Sequence, residues 1–401
     1  MQPTIPYKFF AIILLFASLA HISADIYVPS MPAIAKALHT DPASVQFTFF
    51  AFMFGFSIAH LFYGPLSDRI GRRKPILTGI GLSIIGTLCC IFAPSIYLLI
   101  VGRFIQGIGV AVCNSVGRSI TRDLLSGSHL AKMGSYLGMI LVLVTATAPT
   151  LGGYIQYYFD WRAVFVFLLI YSSLIWLLTW KILPETNTQL NPHATKLNVI
   201  LHNYRILITN KTFIGYTLCA SCAYAGIIAY ATSAPFLLQT VIGLTPIEFG
   251  WLSFVFSGAI FISFLINSQL ILKQGIPTMV LVGNCLMTLS GLIMLLLASM
   301  GWVNAFAIVL PVALFCMGAG FNFGNATAGA FHPFPHIAGS AGALFGCLQI
   351  FGGALASGIV AALQITNQMP LAGILILLGI IALISWKFLA SVDSAIDANT
   401  Q

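Results

Sequence analysis

Two charged residues sit where charge is expensive. Of the nine carboxylates in the 401-residue sequence, Asp41, Asp68, Asp123, Asp160, Glu185, Glu248, Asp393 and Asp397 fall in polar segments or at the ends of apolar runs. Asp25 alone lies inside an apolar run, and Arg103 interrupts another. Ionisable groups held in hydrocarbon are functional by default, because leaving them there costs several kcal/mol. At a helical rise of about 1.5 Å per residue, Asp25 falls roughly 24 Å from one edge of a ~30 Å hydrocarbon core. Arg103 falls about 10–12 Å from the opposite edge, so the two lie within several ångströms of the same depth and can pair if their helices adjoin. Burial opposes ionisation of a carboxyl and a neighbouring cation favours it, so such a site can take up and release protons near neutrality. The competing reading is that Asp25 caps a short segment beyond it, where Pro29 and Pro32 break the helix. His21, one turn earlier on the same face, is either a proton relay or a hydrogen-bonded packing residue.

Other chemistries find no residues to carry them. The sequence contains no G-x-x-x-x-G-K-[ST] loop for a nucleotide engine, no Ser-His-Asp set and no metal-ligand spacing. An enzyme is not expected, nor a cofactor or bound metal. The eight cysteines all fall in apolar stretches, and the Cys219-x-x-Cys222 pair has no His or acidic neighbour, so helix packing is its reading. Net charge is +8, but the basic residues are scattered over short loops instead of forming a face, which argues against nucleic acid as a partner.

The elements that must hold Asp25 and Arg103 follow from composition. Hydrophobic residues make up 59% of the chain and charged ones 6%, too few to clothe a water-soluble surface. In a bilayer each span must satisfy its own backbone, as a helix or in a closed barrel. The apolar runs, such as 9–24, 76–93 and 372–389, have helical and not barrel-strand length. The expected fold is an all-α membrane protein of about twelve transmembrane helices. Their approximate positions are 9–34, 45–66, 75–93, 96–118, 133–156, 161–182, 212–238, 248–271, 277–299, 303–326, 338–363 and 370–390. A polar interval separates two six-helix bundles, residues 1–183 and 211–401, joined by a linker over 184–210. Lys and Arg concentrate on one side of this arrangement, with Lys36 and Arg162 on the other, which places both termini in the cytoplasm. The N-terminal apolar run resembles a cleavable signal peptide, yet its removal would leave five spans against six, so it is expected to stay.

Three motifs stand apart from ordinary loops and packing. The stretch Gly64-Pro65-Leu66-Ser67-Asp68-Arg69-Ile70-Gly71-Arg72-Arg73-Lys74-Pro75 places an acid within a basic run between two glycines that permit a tight reversal. Arg103-Phe104-Ile105-Gln106-Gly107-Ile108-Gly109 and Ala148-Pro149-Thr150-Leu151-Gly152-Gly153 follow. The first resembles the G-x-L-x-D-R-x-G-R-[RK] signature of the major facilitator superfamily, and the second its R-x-x-Q-G-x-G element. The third is similar to the G-P-x-x-G-G element of its proton-driven exporters, with Ala148 in place of the usual glycine. Asp25-Ile26-Tyr27-Val28-Pro29-Ser30-Met31-Pro32 and Ala338-Gly339-Ser340-Ala341-Gly342-Ala343-Leu344 resemble the bicyclomycin/chloramphenicol-resistance branch of the drug:proton antiporters.

The resemblance implies proton-coupled export of small amphipathic molecules by alternating access. It implies a multi-pass protein of the bacterial inner membrane that works as a monomer, with a small-molecule substrate, protons and the lipid bilayer as its partners. Asp25 would carry the proton with Arg103 as its electrostatic partner, while Gly64, Asp68, Arg69, Gly71 and Arg72 would form a cytoplasmic latch. Pro149, Gly152 and Gly153 read as a kink beside small residues that admit a neighbouring helix. Asn114, Tyr230, Asn322 and Gln349, with Tyr224 and Asn325, could line a mildly polar cavity walled by Phe50, Phe54 and Phe236, or could merely bond helix to helix. An exporter of one metabolite or siderophore, a proton-symport nutrient importer, and a receptor that has lost transport are the rival readings.

Overall fold

Backbone polar groups have no water to turn to in hydrocarbon, and this chain answers with helices throughout. The computed structural model describes residues 7–125, 127–187, 190–192, 194–363 and 367–390. Both termini, including Asp393 and Asp397, lie outside the described residues. In order come α1 (Tyr7–Asp25), a 3-10 turn (Val28–Ser30), α2 (Met31–Ala37), α3 (Pro42–Ile70), α4 (Arg73–Ile91), α5 (Ile96–Leu124), α6 (Gly127–Tyr158) and α7 (Trp161–Ile182). Then follow α8 (Leu197–Thr209), α9 (Lys211–Ala234) with a π-helical extension (Pro235–Val241), α10 (Pro246–Ser299), α11 (Ala305–Phe331), α12 (Ala338–Leu363) and α13 (Met369–Ser385). Side chains start many of them. Asp41, Asp160, Asn210 and Asn304 each accept an amide hydrogen bond at a helix N-terminus, and Thr245 with Glu248 forms a reciprocal capping box.

Among the described residues, eleven helical segments are long and apolar enough to cross a membrane. One of them, α10, has 54 residues and would span about 80 Å if straight, far more than a bilayer needs. It is two helices, 246–274 and 276–299, joined at Gly275, whose φ of +76° is a left-handed value that favours glycine. Hydrogen bonds show the reversal directly. Asn325 on α11 donates to Asn267 in the first half (2.6 Å), and Asn322, less than one turn away, donates to Asn284 in the second (3.0 Å). Seventeen residues of straight helix could not bring both asparagines to adjacent turns of one neighbour. The eleven segments therefore make twelve passes. Outward-facing Phe62, Ile85, Ile170, Leu289 and Ile384 are exposed, a surface suited to lipid and not to water.

The helices before Leu183 meet those after Lys211 along two seams. At one, α3 packs on α12, and Ser57 donates to the Cys347 carbonyl (3.0 Å). At the other, α6 packs on the first half of α10, and Thr150 donates to the Gly250 carbonyl (2.9 Å). One end of the bundle is sealed by further bonds across the seams, from Gln46 to the Thr232 carbonyl (3.2 Å) and from Gln239 to the Pro29 carbonyl (3.0 Å). Close approach at this end depends on Gly152 and Gly153. A methyl group on Gly152 would overlap the Ile26 carbonyl, and one on Gly153 the Pro246 carbonyl.

The interval 184–210 is more ordered than its polarity suggests. It carries α8, whose Leu207 is fully buried. Tyr204 of α8 reaches the Leu61 carbonyl on α3 (3.4 Å), and Asn203 reaches Ser340 on α12 (3.2 Å).

Gly152→Val should lower the thermal midpoint of the detergent-solubilised protein, since overpacking a close helix contact costs about 1–3 kcal/mol. Gly258→Ala, at a position with open space, should leave it unchanged or raise it. Equal midpoints for wild type and Gly152→Val would mean that α6 can move off Ile26 without cost.

Candidate functional site

A cavity of about 460 Å³ lies between the two seams. Its wall is largely apolar, with Met53, Phe56, Leu141, Phe256, Phe264 and Ile350 contributing. Asn114, Tyr224, Tyr230 and Gln349 are polar points on that wall, and His21, Asp25 and Arg118 are its charged or readily titrating groups. On α1 the lining residues Ile13, Ala17, Ala20, His21, Ala24 and Asp25 recur at three- and four-residue spacing, which is one helical face. The helix stops at Asp25 because Pro29 and Pro32 follow closely and supply no amide hydrogen.

Asp25 does not cap the segment beyond it. The N-cap positions of the 3-10 turn and of α2 are Tyr27 and Ser30, and neither start has a side-chain cap. Among the described residues, none gives the Asp25 carboxylate a hydrogen bond or an ion pair, so it stands half-buried and free in the cavity wall. His21 bonds through Nδ1 to the Ala17 carbonyl (3.0 Å) and also lines the cavity.

Arg103 makes no hydrogen bond or salt bridge with Asp25, the direct pair that depth suggested, although the two opposite charges lie near enough to attract one another. Its side chain is fully buried, and its Nη1 donates to the Ser23 carbonyl (2.9 Å) and to Gln106 Oε1 (2.6 Å). The Tyr27 and Phe52 rings lie 4.0 and 4.1 Å from the guanidinium carbon, an arrangement with both stacking and cation–π character. Gln106 continues the network to Thr87 (2.8 Å). The reason for the mismatch is rotational. Residues two apart on a helix point about 200° apart, so the α1 side that offers the Ser23 carbonyl to Arg103 turns Asp25 the other way. The Ser23 carbonyl is one of those orphaned where α1 ends, and Arg103 satisfies it.

Several other expected positions lie elsewhere. Asn322 is fully buried away from the cavity, where it bonds Asn284 and the Gly318 carbonyl (3.3 Å), and Asn284 goes on to the Ala382 carbonyl (3.1 Å). It ties α11 to α10 and α13, as Asn325 does through Asn267. Phe50 and Phe54 stack on each other beside the α3–α12 seam (5.6 Å), and Phe236 is core; none of the three lines the cavity. Sequence reasoning missed Arg118, which four-residue spacing from Asn114 puts on the same face of α5.

The basic turn is a separate cluster at the other end of α3 from Gln46, and so at the opposite end of the bundle. Gly64 is not part of the reversal, because α3 continues through it and Pro65 to Ile70. The turn is made at Gly71 alone, at φ +91°, and a side chain there would overlap the Glu185 carboxylate. Arg72 bonds Asp68 (2.5 Å), Ser67 (2.7 Å) and Asp123 (2.8 Å), tying α3 to the end of α5. Arg69 reaches Thr195 (2.9 Å), and the Asp68 carbonyl accepts the Asn191 amide (3.0 Å), so the interval after α7 lies across the turn. Glu185 accepts the amides of Arg72 (2.7 Å) and Arg73 (3.1 Å). Partial burial pushes its carboxyl up, but the amides of Arg72, Asn187, Arg73 and Thr186 outweigh this and hold it below the usual glutamate range. A lowered folded-state value means that its contribution is present above the unfolded value and fades as pH falls through the folded one. Asp123 and Glu185, read from sequence as ordinary loop or span-end acids, are thus the partners that complete this cluster.

These features have relatives. Residues 13–357 match the Major Facilitator Superfamily. Multidrug resistance protein D of Escherichia coli (strain K12) is 30% identical over 379 residues, covering 94% of this chain and 95% of its own. The bicyclomycin resistance protein homolog of Haemophilus influenzae is 29% identical, covering 94% of each. In fold, the chain is similar to the crystal structure of a D-xylose-proton symporter, with a TM-score of 0.76 at 16% identity, covering 96% of this chain and 98% of that one. The twelve passes, the motif cluster at Arg72 and these matches over most of the length agree: the chain belongs to the Major Facilitator Superfamily.

Proposed function

We propose that the chain is a proton-coupled transporter of the bacterial inner membrane that exports small amphipathic molecules by alternating access. The observation that carries this reading is Asp25, the one carboxylate among the described cavity-lining residues, held with no partner in a largely apolar wall. Such a group can be occupied by a proton or balanced by a ligand, and exchange between the two couples their movements. The similarity to proteins named for multidrug and bicyclomycin resistance supports export of drug-like solutes.

In this reading the end bearing Arg69, Arg72, Arg73 and Lys74 faces the cytoplasm, as the excess of basic residues favours. Residues 1–183 and 211–401 act as two rocking bundles joined by the segment 184–210, and a single copy suffices. The contacts Thr150–Gly250, Gln239–Pro29 and Gln46–Thr232 close the outer side and break when the protein turns outward. The Arg72–Asp68–Asp123 cluster with Glu185 latches the cytoplasmic ends, so its role is conformational. Gly152 and Gly153 let the outer gate close. Arg103 fixes the end of α1 and thereby the direction in which Asp25 points.

Asp25→Asn should fold and insert normally yet lose substrate accumulation driven by an imposed pH gradient in proteoliposomes. Asn keeps the shape and removes the titrating group. Wild-type pumping by this variant would sink the mechanism.

Gly71→Ala should slow transport several-fold while leaving equilibrium substrate binding near wild type, since the turn is remote from the cavity. A large loss of binding with unchanged turnover would remove the latch assignment.

Arg103→Lys should behave like Arg103→Met and not like wild type, because an ammonium cannot stack between two rings while serving both the Ser23 carbonyl and Gln106. Gradient-driven efflux by the three proteins is the measurement, and full activity of the lysine variant would show that charge alone suffices.

A further inference from the structure

Asp25 is not the only unmatched charge in the cavity. Among the described residues, Arg118 is the one Arg or Lys that lines it. Its Nε is committed to the Asn114 carbonyl (3.1 Å), but no described residue accepts from its two Nη nitrogens and none offers it an ion pair. A guanidinium presents a rigid fork suited to a carboxylate, and this one is exposed within the cavity with both Nη groups available to a ligand.

A second buried group points at the same place. His60 is 1% exposed, and its Nδ1 donates to the Phe56 carbonyl (3.2 Å), while its Nε2 has no partner. The two side chains converge on Gly346, which lines the cavity from α12. A methyl group built on Gly346 would press on the His60 ring, 3.1 Å from Cδ2 and 3.6 Å from Nε2, and would stand 3.8 Å from Arg118 Nη2. The missing side chain therefore keeps a gap between them that opens on the cavity. Arg122 follows Arg118 by one turn and adds positive potential to this end.

The opposite end of the cavity has the opposite sign. Gly117 packs against Phe16, which sets Arg118 level with the Phe16–Ala17 turn of α1, about two turns or ~12 Å from Asp25. Met53, Leu141, Phe256 and Ile350 are among the apolar residues of the wall these two groups share.

We propose that Arg118, with His60 beside it across Gly346, is an anion subsite that receives the carboxylate of the transported molecule, so that the substrate class is amphipathic acids and not lipophilic cations. The inference rests on the transport reading above for its substrate, though not for its geometry. The acid sits in the Arg118 fork, its apolar body lies along the shared wall, and a donor group at its far end reaches Asp25. With Nδ1 already donating to the Phe56 carbonyl, the neutral His60 ring presents Nε2 as an acceptor that borders the gap, and the acid itself goes to Arg118.

Equilibrium binding to the purified full-length protein, followed by dansyl fluorescence with no gradient, tests the subsite. Dansyl-phenylalanine and its amide form a pair of nearly equal size in which only the first carries an anion. Wild type should bind the acid at least tenfold more tightly than the amide. Arg118→Gln should erase that ratio, and Arg118→Lys should keep part of it. Gly346→Ala, which fills the gap at the cost of a small shift of the His60 ring and leaves the Arg118 guanidinium in place, should narrow the ratio, and it decides alone if the glutamine variant fails to fold. Equal or undetectable binding of the two probes by wild type overturns the proposal, as does an undiminished ratio in Arg118→Gln or in Gly346→Ala. Because no gradient is applied, a failure of proton-driven efflux leaves this result standing. Equal binding by a protein that still pumps refutes only the subsite.

Discussion

Much of this structure depends on how α1 ends. A helix that stops within hydrocarbon leaves carbonyls with nothing to bond, and there each would cost several kcal/mol. Pro29 and Pro32 force that stop, and Arg103 makes it tolerable by giving a hydrogen to the Ser23 carbonyl. The cost of placing an arginine there is met in part by Tyr27, Phe52 and Gln106, all buried, while its Nε and Nη2 have no hydrogen-bond partner. One exchange of obligations thus fixes the first helix, the fourth pass and the second. Asp25 is left over in the cavity wall, neither cap nor hydrogen-bonded partner, near the Arg103 charge but not in contact with it.

The rest of the molecule divides polar interactions by location. At the sealed end, single hydrogen bonds to backbone carbonyls join the seams, from Gln46, Thr150 and Gln239. Such bonds hold position yet can be exchanged for water when the helices part. At the other end the contacts are ionic and multiple, centred on Arg72. Inside, between these zones, the cavity keeps its charged groups apart and largely unserved by protein partners. A transport protein needs that imbalance, because a site satisfied by its own residues has nothing to offer a ligand.

The fold was legible because lipid makes the sequence simple. Apolar runs of helical length place the passes, and a bilayer permits few alternatives. Depth along a helix was also legible, and Asp25 and Arg103 do lie at neighbouring levels, as the Arg103–Ser23 bond requires. Rotation was not. A linear count says how deep a residue lies but not which way it faces, and Arg103 turned out to serve the backbone two residues before Asp25. Asn322 was left open for the same reason, since an asparagine in an apolar helix serves either a cavity or another helix and only packing decides. Arg118, Asp123 and Glu185 were passed over because their positions near span ends looked ordinary. The companions that give them meaning, His60, Arg72 and the amides after Gly71, are distant in sequence or belong to the backbone.

The reversal at Gly275 has a mechanical side. Most neighbouring passes are joined by several residues of slack, whereas the two halves of α10 share a single joint with α11 seated between them through Asn267, Asn284, Asn322 and Asn325. Neither half can slide along its axis without pulling the other, so the three passes form a stiff truss. The first half also carries Gly250, the far side of the α6 seam. Motion at that seam is therefore delivered to a rigid frame, which must swing as one piece.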